Sequence, residues 1–68
     1  MKLENVKVGQ FIKVENTADS FLHEYTGSYG TVVEVEPSTY TGYLTVKVRY
    51  PDGVFDWGNH EDIKPIKV

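Results

Sequence analysis

Two clusters in this chain, His23-Glu24 and His60-Glu61-Asp62, have side chains of the types that bind metals or move protons. A divalent metal needs three or four donors converging on one point. These clusters lie on separate segments, with no histidine pair four residues apart and no HExxH-like spacing. They read as surface histidines, so neither a metal nor a cofactor is expected. No nucleophile stands beside a base, and the six glycines are scattered at turns rather than gathered into a phosphate-cradling loop. A chain of 68 residues also leaves little room for an enclosed pocket, so enzymatic activity is not expected.

Two other constellations could bind rather than react. Tyr25, Tyr29, Tyr50, Phe55 and Trp57 flank a long loop and a hairpin, with Asp56 among them and Glu61 and Asp62 nearby. Aromatic walls beside carboxylates suit a proline-rich peptide, or a cation held over ring faces. The competing reading is burial: Tyr50 and one of Phe55 or Trp57 are core, as large aromatics tend to be. The second constellation is Lys13, Lys47 and Arg49, with Tyr43 and Thr45 alongside on the outward face of a strand. Small barrels use such faces to contact phosphates and stack bases. Against it stands a simple solvated face whose charge discourages edge pairing.

The elements that must position these residues centre on residues 43–57, YLTVKVRYPDGVFDW. Leu44, Val46, Val48 and Tyr50 alternate with Tyr43, Thr45, Lys47 and Arg49, the period of a strand buried on one face. Pro51-Asp52-Gly53 supplies a turn, and residues 54–57 return as a further strand. Upstream, residues 10–15 form a first strand with Ile12 and Val14 inward; Phe11 is either a lid or exposed. Residues 29–36, YGTVVEVE, form the second strand. Its Gly30 marks a bulge or a close backbone approach, and a bulge near Val32 and Val33, where three valines fall in four positions, would turn both toward apolar surroundings. Asn59 caps a single 3-10 turn over residues 59–63. Ile63, Ile66 and Val68 belong to a last short strand, with Pro65 confining it to an edge or standing at its start. Leu3, Val6 and Val8 form a lead-in that lays one or two apolar side chains over one end.

Residues 15–28 carry neither strand nor helix periodicity, apart from one turn near Ser20–Glu24. So long a loop in a small domain is where function tends to sit. Its Phe21, Leu22 and Tyr25 must tuck onto the core or stand exposed. A second loop, residues 37–42, carries Tyr40 near its tip. The predicted architecture is all-β, a single domain spanning 1–68, with five strands, a long first loop and one 3-10 turn before the last strand.

The segments VKVGQFIKV (6–14), GTVVEV (30–35), VKVRYPDG (46–53) and EDIKPI (61–66) resemble SH3-like barrels, especially the KOW and Tudor-like branches. That resemblance implies a five-stranded barrel with a binding groove where the long loop meets the hairpin. The chain also looks like the small SH3-like subunits that dock ferredoxin or cap photosynthetic complexes.

Charge bears on the partner. The net charge is −3 and the pI about 5.2, against the basic excess usual in nucleic-acid binders. Residues 14–46 hold no lysine or arginine but carry Glu15, Asp19, Glu24, Glu34 and Glu36, whereas the remainder has seven cations against five acids. Without cysteine, a signal-like apolar run or a span of roughly 18 apolar residues, the expectation is a cytoplasmic chain without a membrane segment. The function expected is a binding module, acting as an accessory or regulatory protein, including one of phage or mobile-element type. Its expected partner is a protein in the aromatic groove. The alternatives are a KOW-like nucleic-acid or ribosome-associated module and a docking subunit for electron transfer.

Overall fold

An extended segment that covers a core can satisfy its backbone only by pairing, and five short segments do so here. The computed structural model describes residues 2–18, 20–36 and 45–66. Its strands are β1 (Phe11–Val14), β2 (Tyr29–Val35), β3 (Val46–Arg49), β4 (Phe55–Gly58) and β5 (Ile63–Pro65). All pairs are antiparallel, in the order β4-β3-β2-β1-β5. β4 and β5 end that order and no ladder joins them among the described residues, so the sheet is not closed into a barrel by hydrogen bonds. The expected 3-10 turn occupies His60–Asp62, and Asn59 Oδ1 accepts from the Glu61 amide at 2.9 Å. Two further 3-10 turns, Leu3–Asn5 and His23–Tyr25, flank β1.

Alternation sets the core. Ile12, Val14, Val32, Val46 and Val48 are 0% exposed, and Tyr50 and Ile63 join them at 1% and 2%. Val6 belongs to this cluster, while Val8 stands exposed. The bulge falls where the valines required it: Val32 pairs with Val48 and Glu34 with Lys47, leaving Val33 without a partner. Val32 is fully buried and Val33 only half. Of the two readings of Gly30 the close approach holds, since an added Cβ would lie 3.2 Å from the Arg49 carbonyl oxygen and 3.5 Å from the Tyr50 ring.

Thr45 departs from expectation. Alternation through residues 43–50 places it outward, but it is 1% exposed, and its hydroxyl accepts from the His60 amide at 3.1 Å. The strand begins only at Val46, so its period does not extend back to Thr45. Tyr43, Leu44, Tyr40, Asp19 and Val68 lie outside the described residues.

The long loop folds back over the sheet. Phe21 takes the left-handed region at φ 59°, where a bulky side chain is strained, yet its ring is buried. That ring sits against Gly58 so closely that a Cβ there would collide with it. Gly58→Ala is expected to lower stability by about 1–3 kcal/mol, the cost of overpacking. Adding Phe21→Leu should restore part of that loss, and denaturant melts of both variants measure the coupling.

Candidate functional site

The aromatic residues fall into two groups that face different ways. At the loop–hairpin junction, the Tyr25 ring stacks on Tyr50 with centroids 3.8 Å apart and planes 1° from parallel. The Tyr50 hydroxyl donates to Asp56 Oδ2 at 2.8 Å, and the Leu22 amide donates to the same oxygen at 2.7 Å. The Tyr25 hydroxyl donates to Asp52 Oδ2 at 2.6 Å, and Asp52 Oδ1 accepts from the Val54 amide at 3.0 Å. Further along the loop, the Ser20 hydroxyl donates to Asp62 Oδ2 at 3.2 Å and accepts from the Asn59 amide at 2.8 Å. Tyr25, Tyr50 and Asp56, expected to line an open groove, are thus committed to one another and to fastening the loop.

Tyr29, Phe55 and Trp57 lie instead on the outer face of the sheet, the side away from the valine core. Tyr29 and Phe55 are 58% and 53% exposed, and Trp57 is half-buried. Lys13, Lys47 and Arg49 share this face, so the two sets of residues that looked like rival surfaces are partly one. Lys47 Nζ lies 4.9 Å from the Phe55 ring centroid and 5.9 Å from that of Trp57, within cation–π range.

Strand register builds three rows across this face. Trp57 pairs with Lys47 and Lys47 with Glu34. Phe55 pairs with Arg49, Arg49 with Thr31, and Thr31 with Phe11. Tyr29 pairs with Lys13, and Lys13 with Lys64. Phe11 and Lys64 complete the face, and both escaped selection from sequence. Alternation put Phe11 outward, but only register shows it in line with Arg49. Lys64 gives little signal inside a three-residue edge strand.

Four cations therefore meet four aromatics on the outer face, with Glu34 the carboxylate in the three rows. Lys13 opposite Lys64 is a like-charge pair that costs stability unless an anion screens it. No ion pair occupies these cations among the described residues. A groove of about 230 Å³ opens on this face, lined by Phe11, Tyr29, Thr31, Arg49 and Pro51, with Gly30 and Tyr50 beneath. Of the histidines, His23 Nδ1 lies 3.3 Å from the Thr17 hydroxyl. Among the described residues no three histidine or carboxylate side chains gather as a metal site would require. No helix there is long and apolar enough to cross a membrane.

Fold and face together define a small all-β domain with a five-stranded antiparallel sheet carrying a cationic, aromatic surface. In solved structures the same fold occurs in the NMR structure of Bacillus subtilis protein YorP, with a TM-score of 0.76 at 19% sequence identity. That match covers 94% of this chain and 73% of YorP. At this identity the likeness shows the fold alone. No family model and no curated protein matches the chain.

The Tyr25–Asp52 bond carries a pH signature. It holds the Asp52 carboxyl below its ordinary 3.8, helped by the Val54 amide. The same bond, with burial and nearby carboxylates adding to it, pushes Tyr25 from 10.0 up to about 12. Burial chiefly, and then the bond to Asp56, raises Tyr50 as well. A carboxyl lowered by folding gives stability above its unfolded value that is lost as pH falls through the folded one. A phenol raised by folding gives stability below 10.0 that is lost as pH rises toward about 12. Melts across pH should accordingly show a neutral plateau with both an acid and an alkaline fall. Tyr25→Phe should shrink the alkaline fall, and an unchanged profile would show that this bond contributes nothing in solution.

Proposed function

We propose that this chain is a non-enzymatic binding module, SH3-like in its arrangement of strands, that takes single-stranded nucleic acid across the outer face of its sheet. The observation that carries this reading is the interleaving of Lys13, Lys47, Arg49 and Lys64 with Phe11, Tyr29, Phe55 and Trp57 on one open surface. Single strands are held by that combination: cations follow the phosphates while flat side chains stack on bases of any sequence. The chain's −3 charge does not oppose it locally, because just one carboxylate, Glu34, stands in the three rows. Sheet geometry supplies the spacing, since alternate residues on one face recur about every 7 Å along a strand.

The second reading is a protein partner engaged through Tyr29, Phe55 and Trp57, and the overall acidity favours it. Tyr25, Tyr50 and Asp56 add little to such a surface, because their polar groups are bonded within the chain. Either way, the outer face is the working surface and the long loop is its support.

Titrating short single-stranded oligonucleotides and following Trp57 fluorescence tests the proposal. Binding is expected at low salt, weakening with a log–log salt slope of about −3 if four cations each neutralise one phosphate. Lys47→Glu with Arg49→Glu should abolish it, and Phe55→Ala should weaken it several-fold without unfolding the chain. An absence of binding at low salt and high micromolar protein rejects nucleic acid as the ligand.

A further inference from the structure

The groove that Phe11, Tyr29 and Arg49 line is more specific in chemistry than the face around it. Phe11 pairs with Thr31, and Tyr29 with Lys13, so Phe11 and Tyr29 are diagonal neighbours on adjacent strands. Diagonal neighbours stand about 7–8 Å apart. Two aromatic side chains rooted at that spacing can reach a common ring, which needs about twice the ~3.5–4.0 Å carbon contact distance between them. Both side chains are more than half exposed, at 52% and 58%, so neither ring is committed to the core. Pro51 and Thr31 add an apolar wall and a hydroxyl.

Arg49 gives this gap its polarity. Its guanidinium carries five donors and no acceptor, and no hydrogen bond or ion pair engages it among the described residues. Its cross-strand neighbours are Thr31 and Phe55, neither of them acidic. Guanine presents two adjacent acceptors, N7 and O6, to a fork of donors. Adenine and cytosine place an amino donor there, and thymine offers a single acceptor beside a methyl group.

We infer that this groove is a base-selective pocket, in which one guanine of a bound single strand stacks between Phe11 and Tyr29 and hydrogen-bonds to Arg49. This rests on the nucleic-acid reading above and makes the otherwise sequence-tolerant face prefer strands with a guanine. On a strand with a guanine, Arg49 turns from a phosphate to the base and sets the preference, while the remaining three cations stay on the flanking phosphates.

Fluorescein-labelled thymine strands carrying one central guanine, adenine, cytosine or 7-deazaguanine test it by anisotropy at fixed salt, with the all-thymine strand as baseline. The guanine strand is expected to bind about tenfold more tightly than the others. The 7-deazaguanine strand, which lacks N7, should lose most of that gain. Arg49→Lys keeps the charge but not the fork, so it should erase the preference, the guanine strand then binding no more tightly than the all-thymine strand. Equal binding of all strands by the unaltered protein overturns the pocket and leaves the nucleic-acid face standing. A guanine preference that survives Arg49→Lys overturns the assignment to Arg49. Failure of every strand to bind overturns both readings together.

Discussion

One oxygen of Asp56 accepts both the hydroxyl of Tyr50 and the amide of Leu22, and the rest of the molecule depends on that meeting point. A short five-strand sheet has too little apolar surface to stand without cover, and here the cover is an irregular loop. Such a loop cannot lie on a core unless its own polar groups find partners. Asp56 supplies one, Asp62 another through Ser20, and Asp52 a third through Tyr25. Once fastened, the loop delivers Phe21 and the Tyr25 ring to the inner side of the sheet, which frees the outer side from any structural duty.

This division of labour bears on where the carboxylates of the hairpin and last turn place their charge. Asp52, Asp56 and Asp62 lie in the cation-rich portion of the sequence but are taken up by hydroxyl and amide donors of the loop and hairpin. Their charge is thereby directed toward the junction and away from the outer face, where the cations stand among aromatic rings. Net charge is thus a poor guide to what a particular face of so small a protein attracts.

The strands were legible because their information is local. Valines two apart in residues 46–48, Ile12 with Val14, and the crowded valines that demanded a bulge each report a period or its interruption. Gly30 was legible for the same reason. The fastening of the loop was not, because Leu22 with Asp56 and Ser20 with Asp62 are 34 and 42 residues apart in sequence. Nothing near either residue announces its partner. The candidate site was half legible. Lys13, Lys47 and Arg49 followed from alternation, but the union of Phe11 with Arg49 through Thr31 depends on register across three strands. For Tyr25 and Tyr50 burial and groove both stood open, because an aromatic residue next to a carboxylate looks alike whether it awaits a ligand or has already bonded to its neighbour.

The bulge at Val33 has a bearing on how relatives of this chain are to be found. Because the residues on either side of Val33 pair with consecutive residues of β3, removing Val33 would leave every other rung of that ladder in place. A chain with the same sheet but no bulge is therefore one residue shorter here, with inward and outward positions still in phase on both sides. Compared without a gap at that point, two such chains align core valines against surface charges through the rest of β2, and their kinship is hidden. An alignment that places its gap at residue 33 keeps the inward and outward positions matched.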